Sequence, residues 1–229
     1  MMAERMTLEQ VYAQERLNSG TSKTNNDDFE KNGYLVVKNL WDPSELYRPV
    51  PHQRGQMNYW GTKLDQYTFT DLEMQVEGSH ACYWHPQYRQ IHSQIRLKLE
   101  KLIGKKLYNT YYYDRFYFEG QQLTMHADRD ACEISVTTHI STNLKEPWPI
   151  WIKTPDKDGI IGENRSVVLS AGDGMVYKGC ERPHWRDPMP KTKRLWKLFK
   201  KEEVYYHQIF FHYVLANGIR SHYANDMSS

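Results

Sequence analysis

Cysteine is scarce in this chain. Cys82, Cys132 and Cys180 are the only three in 229 residues, too few for a disulfide framework, and no Cys-x-x-Cys pair spells a structural zinc site. A reducing compartment, and with it a cytoplasmic location, is the expectation. Neither sign of charge dominates: 30 Lys and Arg against 28 Asp and Glu leave a formal net charge of +2, which excludes a global electrostatic attraction to nucleic acid. No apolar run approaches the roughly 20 residues of a membrane span, and residues 1–17 carry charge throughout, unlike a signal peptide. Internal repeats and low-complexity tracts are absent. One local cluster breaks the even charge pattern: residues 191–201 interleave six cations with Leu195, Trp196, Leu198 and Phe199. It reads as a solvated loop or short helix with its apolar side chains packed inward, and contact with an acidic partner or surface is the alternative.

Aromatic residues are plentiful. They make up 14% of the chain, with seventeen Tyr and seven Trp, and supply the buried area that a disordered sequence lacks. The length suits one sizeable domain. Leu8, Val11 and Tyr12 give a short helical stripe, and the polar stretch 18–28 reads as a linker, so residues 1–28 are expected to be an N-terminal helical arm and linker and residues 29–229 the domain. Residues 34–40 form a probable strand. Asp42-Pro43-Ser44-Glu45 starts a helix, with Asp42 as cap and Pro43 at the first position. Tyr88, Ile91, Ile95, Leu99 and Leu102 recur at threes and fours before Gly104, which predicts a helix over about 86–101 lying against the outside of a sheet. β character follows at 107–118, 132–140, 150–152, 166–169, 175–177 and 204–214. Residues 51–84 show no clear pattern.

His126-Ala127-Asp128, with His184 much later, carries the chemistry. In an extended segment residues i and i+2 point to the same side, so His126 and Asp128 can grip one ion, and a third ligand must come from another strand. His184 qualifies: Gly172-Asp173-Gly174 reads as a turn, 175–177 as a strand, and Pro183 keeps the backbone before it extended. Two imidazoles and a carboxylate hold Fe(II) on one face and leave the other open. The tripeptide alone is weak, since ten His and thirteen Asp give about 0.6 His-x-Asp by chance. His207 and His212 fall on opposite sides of the last predicted strand, so that one points inward; neither is assigned to the metal, because a fourth ligand would block the open positions.

The context of the tripeptide is more specific. Tyr117-Phe118-Glu119-Gly120, running into His126-Ala127-Asp128, resembles the segment before the metal-binding motif of Fe(II)/2-oxoglutarate-dependent dioxygenases, particularly prolyl-4-hydroxylase-like ones. Residues 29–40 are similar to their opening strand, and residues 172–177 to the turn and strand before the distal histidine. The resemblance implies a mainly β fold with flanking helices, a double-stranded β-helix of the jelly-roll, cupin type. It also implies Fe(II) bound by His126, Asp128 and His184, with 2-oxoglutarate and dioxygen as co-substrates. A basic residue should anchor the distal carboxylate of 2-oxoglutarate, and Arg suits because its rigid fork makes two parallel hydrogen bonds. Two compete. Arg194 has the spacing of many relatives but sits in the Lys-rich segment; Arg186, two residues past His184 and facing the same interior, is preferred. His139, where relatives often carry tyrosine, is the candidate donor to that carboxylate, and Tyr117 the barrel tyrosine that contacts co-substrate or packs the core.

Asp128 argues for hydroxylation, since halogenating relatives place a small residue there. The expected substrate is a peptidyl residue, such as proline, or a small metabolite, and aromatic stretches 57–60 and 82–85 could line a peptide groove or pack a core. Two other readings stay open: a cupin-like metalloenzyme or metal-binding protein without 2-oxoglutarate, and a jelly-roll binding protein whose histidines do no chemistry.

Overall fold

A computed structural model describes residues 22–51, 68–69, 75–76, 78–191 and 203–226. Leu8, Val11, Tyr12, the aromatic stretch 57–60 and Arg194 lie outside them. Helix α1 spans Ser22–Asn32. Residues 22–28 of the expected linker are thus helical, and 18–21 lie outside the described residues; polar composition hid a helix whose apolar anchor, the fully buried Phe29, comes only near its end. Gly33 closes the helix in a left-handed conformation, φ 74°, its N–H donating to the Phe29 carbonyl at 2.9 Å. Strand β1 (Tyr34–Val37) stops short of the predicted Leu40 because Asn39 turns left-handed, φ 50°, and ties its N–H to Asp173 Oδ1 at 3.1 Å. Helix α2 (Pro43–Leu46) begins as its sequence predicts, with Asp42 Oδ1 accepting from the Ser44 N–H at 2.9 Å.

After short strands β2 (Thr68–Phe69) and β3 (His80–Tyr83) and a 3-10 turn (Pro86–Tyr88) comes helix α3, Arg89–Ile103. Its stripe of Ile91, Ile95, Leu99 and Ile103 is buried, and Gly104 ends it with φ 66°. The remaining strands are β4 (Leu107–Phe118), β5 (Leu123–His126), β6 (Ile134–Thr142), β7 (Ile150–Lys153), β8 (Asn164–Val167), β9 (Gly174–Tyr177), β10 (His184–Arg186) and β11 (Tyr205–Leu215). β8 lies two residues earlier than its β-branched pattern predicts.

Among the described residues the strands form two antiparallel sheets. One has seven strands in the order β1-β9-β6-β11-β4-β3-β2 and the other four, β5-β10-β7-β8. This is the expected jelly-roll, mainly β with flanking helices. Alternation along the long strands sorts side chains between two cores. From β4, Tyr111, Tyr113 and Tyr117 join Leu123, Trp148 and Phe210 between the sheets. Tyr112 points the other way, into the core that the seven-stranded sheet makes with α1 and α3. Ile95, fully buried there, is a point where truncation to Ala costs about 2–5 kcal/mol. Among the described residues no helix is long and apolar enough to cross a membrane.

Candidate metal and co-substrate site

β10 pairs with β5 so that His184 lies directly opposite His126, and the two rings stand 4.4 Å apart, centroid to centroid. Asp128 is not on a strand. β5 ends at His126, and the chain is then held by the Asp128 N–H, which donates to the Gly179 carbonyl at 2.9 Å. The result is still the grouping that the motif predicts: Asp128 Oδ1 sits 3.4 Å from His126 Nε2 and 3.5 Å from His184 Nε2, and the three potential ligand atoms all lie within 4.8 Å of one another.

Backbone carbonyls set the tautomers. His126 Nδ1–H donates to Thr124 O at 2.8 Å and His184 Nδ1–H to Arg182 O at 3.0 Å, and since a carbonyl only accepts, this tautomer leaves Nε2 of each ring as the acceptor that faces the cluster. Two imidazole lone pairs and a carboxylate oxygen thus converge on one point. Gln75 donates an amide N–H to His126 Nε2 at 2.7 Å, and the Tyr177 hydroxyl lies 3.4 Å from His184 Nε2. Burial would raise the Asp128 pKa, but the positive charge that His184 gains on protonation and the hydrogen bonds around the carboxylate, that from Ser135 among them, outweigh it and hold this carboxyl well below the usual range; burial in turn pushes the His184 pKa down. Two imidazoles and a carboxylate are the donor set that holds Fe(II), so the residues fit that ion.

The far oxygen of Asp128 is held from behind. Oδ2 accepts from Ser135 Oγ at 2.7 Å, and Ser135 in turn meets His212 Nδ1 at 3.0 Å. Gly179 belongs to this corner: a Cβ there would stand 2.5 Å from both Asp128 Oδ2 and Ser135 Oγ, so no larger residue fits without displacing them.

Arg186 lies two strand steps from His184, about 7 Å along β10. It is 1% exposed and sits between aromatic faces, its guanidinium 4.6 Å from the Trp148 ring and 4.7 Å from that of Tyr206. One nitrogen donates to Gln208 Oε1 at 2.8 Å, another to the Trp148 carbonyl, and Nε makes no hydrogen bond. Among the described residues no carboxylate pairs with it. A buried guanidinium with only neutral partners calls for an anion, because an uncompensated buried charge is expensive.

Tyr117 is buried and packs edge-on against Trp148 at 5.2 Å, with its hydroxyl accepting from Arg115 at 3.2 Å. His139 faces the same interior and stacks on Tyr206 at 4.2 Å. Its expected role as a donor needs correction: Nδ1–H is spent on the Leu169 carbonyl at 3.0 Å, and burial lowers the ring pKa to about 4, so the neutral ring offers Nε2 as an acceptor. The aromatic stretch 82–85 mostly packs: Cys82 is buried, Tyr83 stacks on Tyr113 and Trp84 sits edge-on to Tyr112. Gln75, Gly179, Ser135, His212 and Gln208 carry no local motif; only strand alternation hints that Ser135 and one of His207 and His212 face inward.

No protein-family model matches the sequence, and no curated protein does. Solved structures match along most of the chain. A prolyl-4-hydroxylase from Pseudomonas putida superposes with a TM-score of 0.53 at 15% identity, covering 81% of this chain and 95% of its own. A 2OG-Fe(II) oxygenase family oxidoreductase from Burkholderia pseudomallei gives 0.56 at 10%, covering 86% and 92%. EctD from S. alaskensis, solved with 2-oxoglutarate and 5-hydroxyectoine, gives 0.56 at 12%, covering 85% and 76%. The chain has the fold of the 2-oxoglutarate–Fe(II) oxygenases. At such identities the likeness speaks for the fold, and the chemistry rests on the side chains above.

Proposed function

We propose that this protein is an Fe(II)- and 2-oxoglutarate-dependent dioxygenase that hydroxylates an unactivated C–H of a peptidyl residue or a small metabolite. The observation that carries the reading is the pairing of two buried features. Ligand atoms of His126, Asp128 and His184 lie within 4.8 Å of one another, and two strand steps away Arg186 lies buried with no carboxylate partner among the described residues. A metal ion suits the first and the distal carboxylate of a short dicarboxylic acid the second.

Bound iron, with 2-oxoglutarate and dioxygen, supplies the oxidation: one oxygen atom enters the substrate C–H and the other enters succinate, with release of carbon dioxide. The chain's own residues prepare for it. The Thr124 and Arg182 carbonyls keep both imidazoles in the tautomer that presents Nε2. Arg186, itself fixed by Gln208, which reaches Thr137 on β6, orients the co-substrate, and the Trp148 and Tyr206 rings exclude water around that charge pair.

The test is succinate formation from 2-oxoglutarate by the Fe(II)-loaded chain in air. The wild type should turn over even without its prime substrate, and His126→Ala and Asp128→Ala should not, while keeping their fold. Undiminished succinate from either variant overturns the assignment. Metal uptake without any succinate from the wild type leaves the cupin-like reading instead.

A further inference from the structure

β6 and β11 pair so that Ser135 and His212 stand directly opposite each other, both buried and both behind Asp128. We propose that these two are positioning residues for the metal ligand, with His212 acting through Ser135 to hold Asp128 to one-oxygen coordination; this rests on the metal site proposed above.

Proton accounting fixes the direction of these hydrogen bonds. The Ser135 hydroxyl has a single proton, and of the acceptors in reach Asp128 Oδ2 is the nearest at 2.7 Å, against 3.0 Å for His212 Nδ1 and 3.2 Å for the Cys132 carbonyl. The carboxylate is both closer and charged, so it takes the proton. Ser135 Oγ then presents only lone pairs to His212 Nδ1, 3.0 Å away, and Nδ1 must be the donor. The chain of donation runs from His212 Nδ1–H to Ser135 Oγ–H to Asp128 Oδ2. In this tautomer the other ring nitrogen of His212 carries a lone pair and no proton, in keeping with its burial without a hydrogen bond. Tyr111 stacks on the His212 ring at 4.5 Å and 29°, which fixes its plane.

The Gly179 backbone completes the enclosure of Oδ2, approaching so closely that a single added carbon would stand 2.5 Å from it. With Oδ2 tied and covered, Oδ1 alone faces the two imidazoles. A carboxylate free to swing would chelate with both oxygens and occupy a position that the co-substrate or dioxygen needs. Neither Ser135 nor His212 touches the metal position; their effect passes through Asp128.

Mn(II) binding to the full chain reads this without turnover. Ser135→Ala should weaken Mn(II) binding about 10- to 100-fold, and His212→Phe, which keeps a stacking ring but removes the donor, about tenfold. His212→Asn, whose amide can donate from nearly the same place, should recover most of the affinity lost in His212→Phe. The double variant Ser135→Ala/His212→Phe should bind no worse than Ser135→Ala, because the residues act in series. Far-ultraviolet circular dichroism of the metal-free variants guards against misfolding. Equal losses in His212→Phe and His212→Asn, additive losses in the double variant, or wild-type affinity throughout would overturn the relay. Failure of the wild type itself to take up Mn(II) would instead remove the site on which the relay rests.

Discussion

Asp114 and Asp128 are both buried next to histidine, yet their surroundings are opposite in kind. Asp114, on β4, is wholly enclosed, and both its oxygens are spent. Arg48 donates to Oδ1 and Oδ2 at 2.9–3.0 Å, and His207 Nε2–H donates to Oδ2 at 2.6 Å. Burial would raise its pKa, but Arg48 and His207 keep it ionised. Its charge is therefore cancelled by the chain itself. Asp128 has one oxygen tied to Ser135 and the other aimed at two imidazole nitrogens that both offer lone pairs. The first cluster is complete and acts as a strut between β4 and the segment carrying Arg48. The second is one cation short. What separates the two carboxylates is thus the kind of group that faces them, cation and N–H donor in one case and imidazole acceptor nitrogens in the other, rather than their burial.

Breaking each carboxylate in turn should expose that difference most. Asp114→Asn leaves Arg48 buried beside a neutral amide and should cost about 3–5 kcal/mol of stability with or without metal. Asp128→Asn should cost less, about 1–2 kcal/mol in metal-free protein, since Ser135 can still donate to the amide oxygen and no buried guanidinium is left unpaired. Urea unfolding in the presence of a chelator measures both. Equal losses would mean that the second cluster is a strut as well.

Arg186 sharpens the comparison from the side of the guest. Arg48 has its own carboxylate, whereas Arg186 is paired with none among the described residues. Arg186→Ala should weaken 2-oxoglutarate binding by about 3–5 kcal/mol, and Arg186→Lys should recover only part, because it keeps the charge and loses the fork. Titration under nitrogen separates binding from turnover. A larger loss in Arg194→Ala than in Arg186→Ala would move the anchor into the Lys-rich segment.

Next in size is the response to metal. At a hundredfold excess over its dissociation constant, Mn(II) should stabilise the wild type by about 2.7 kcal/mol, and leave Asp128→Ala where it was. Thermal melting with and without Mn(II) shows it, and an equal upward shift in Asp128→Ala would place the ion elsewhere.

The smallest expected effect concerns a histidine in neither cluster. His92, on α3, donates Nε2–H to the His212 carbonyl at 3.0 Å, and burial pushes its pKa down to about 3. A base depressed on folding takes up its proton more readily in the unfolded chain. Its contribution is therefore intact above pH 6.5 and is lost as pH falls toward 3, at about 1.4 kcal/mol per unit, or about 2 kcal/mol between pH 6.5 and 5. His92→Phe should flatten the stability profile over that interval by this amount. An unchanged profile in denaturant melts would mean that the ring is not kept neutral.

Much of this could be read from the chain. His126, Asp128 and His184 were legible because spacing and punctuation place them, although Asp128 reaches its position from a loop held by Gly179 and not from the strand that the i, i+2 argument supposes. The helix α3 was legible from its stripe and its closing glycine. Arg186 was legible as a face, two residues from His184, but its cradle was not, since Trp148 comes from one distant stretch and Tyr206 and Gln208 from another, on β11. Ser135 and His212 meet across 77 positions of sequence, and no local pattern announces a pair that only strand register creates. The helix at 22–32 was hidden because one buried Phe29 in a polar stretch gives no periodicity.

The central claim is that His126, Asp128 and His184 form one metal site that the fold leaves a cation short, and a direct count of bound ions tests it. Titrating Mn(II) into chelator-stripped wild type and Asp128→Ala, followed by the electron paramagnetic resonance of the free ion, should show one ion bound per chain in the first and none in the second. Absence of binding by the wild type, or the same single ion in Asp128→Ala, would contradict the account.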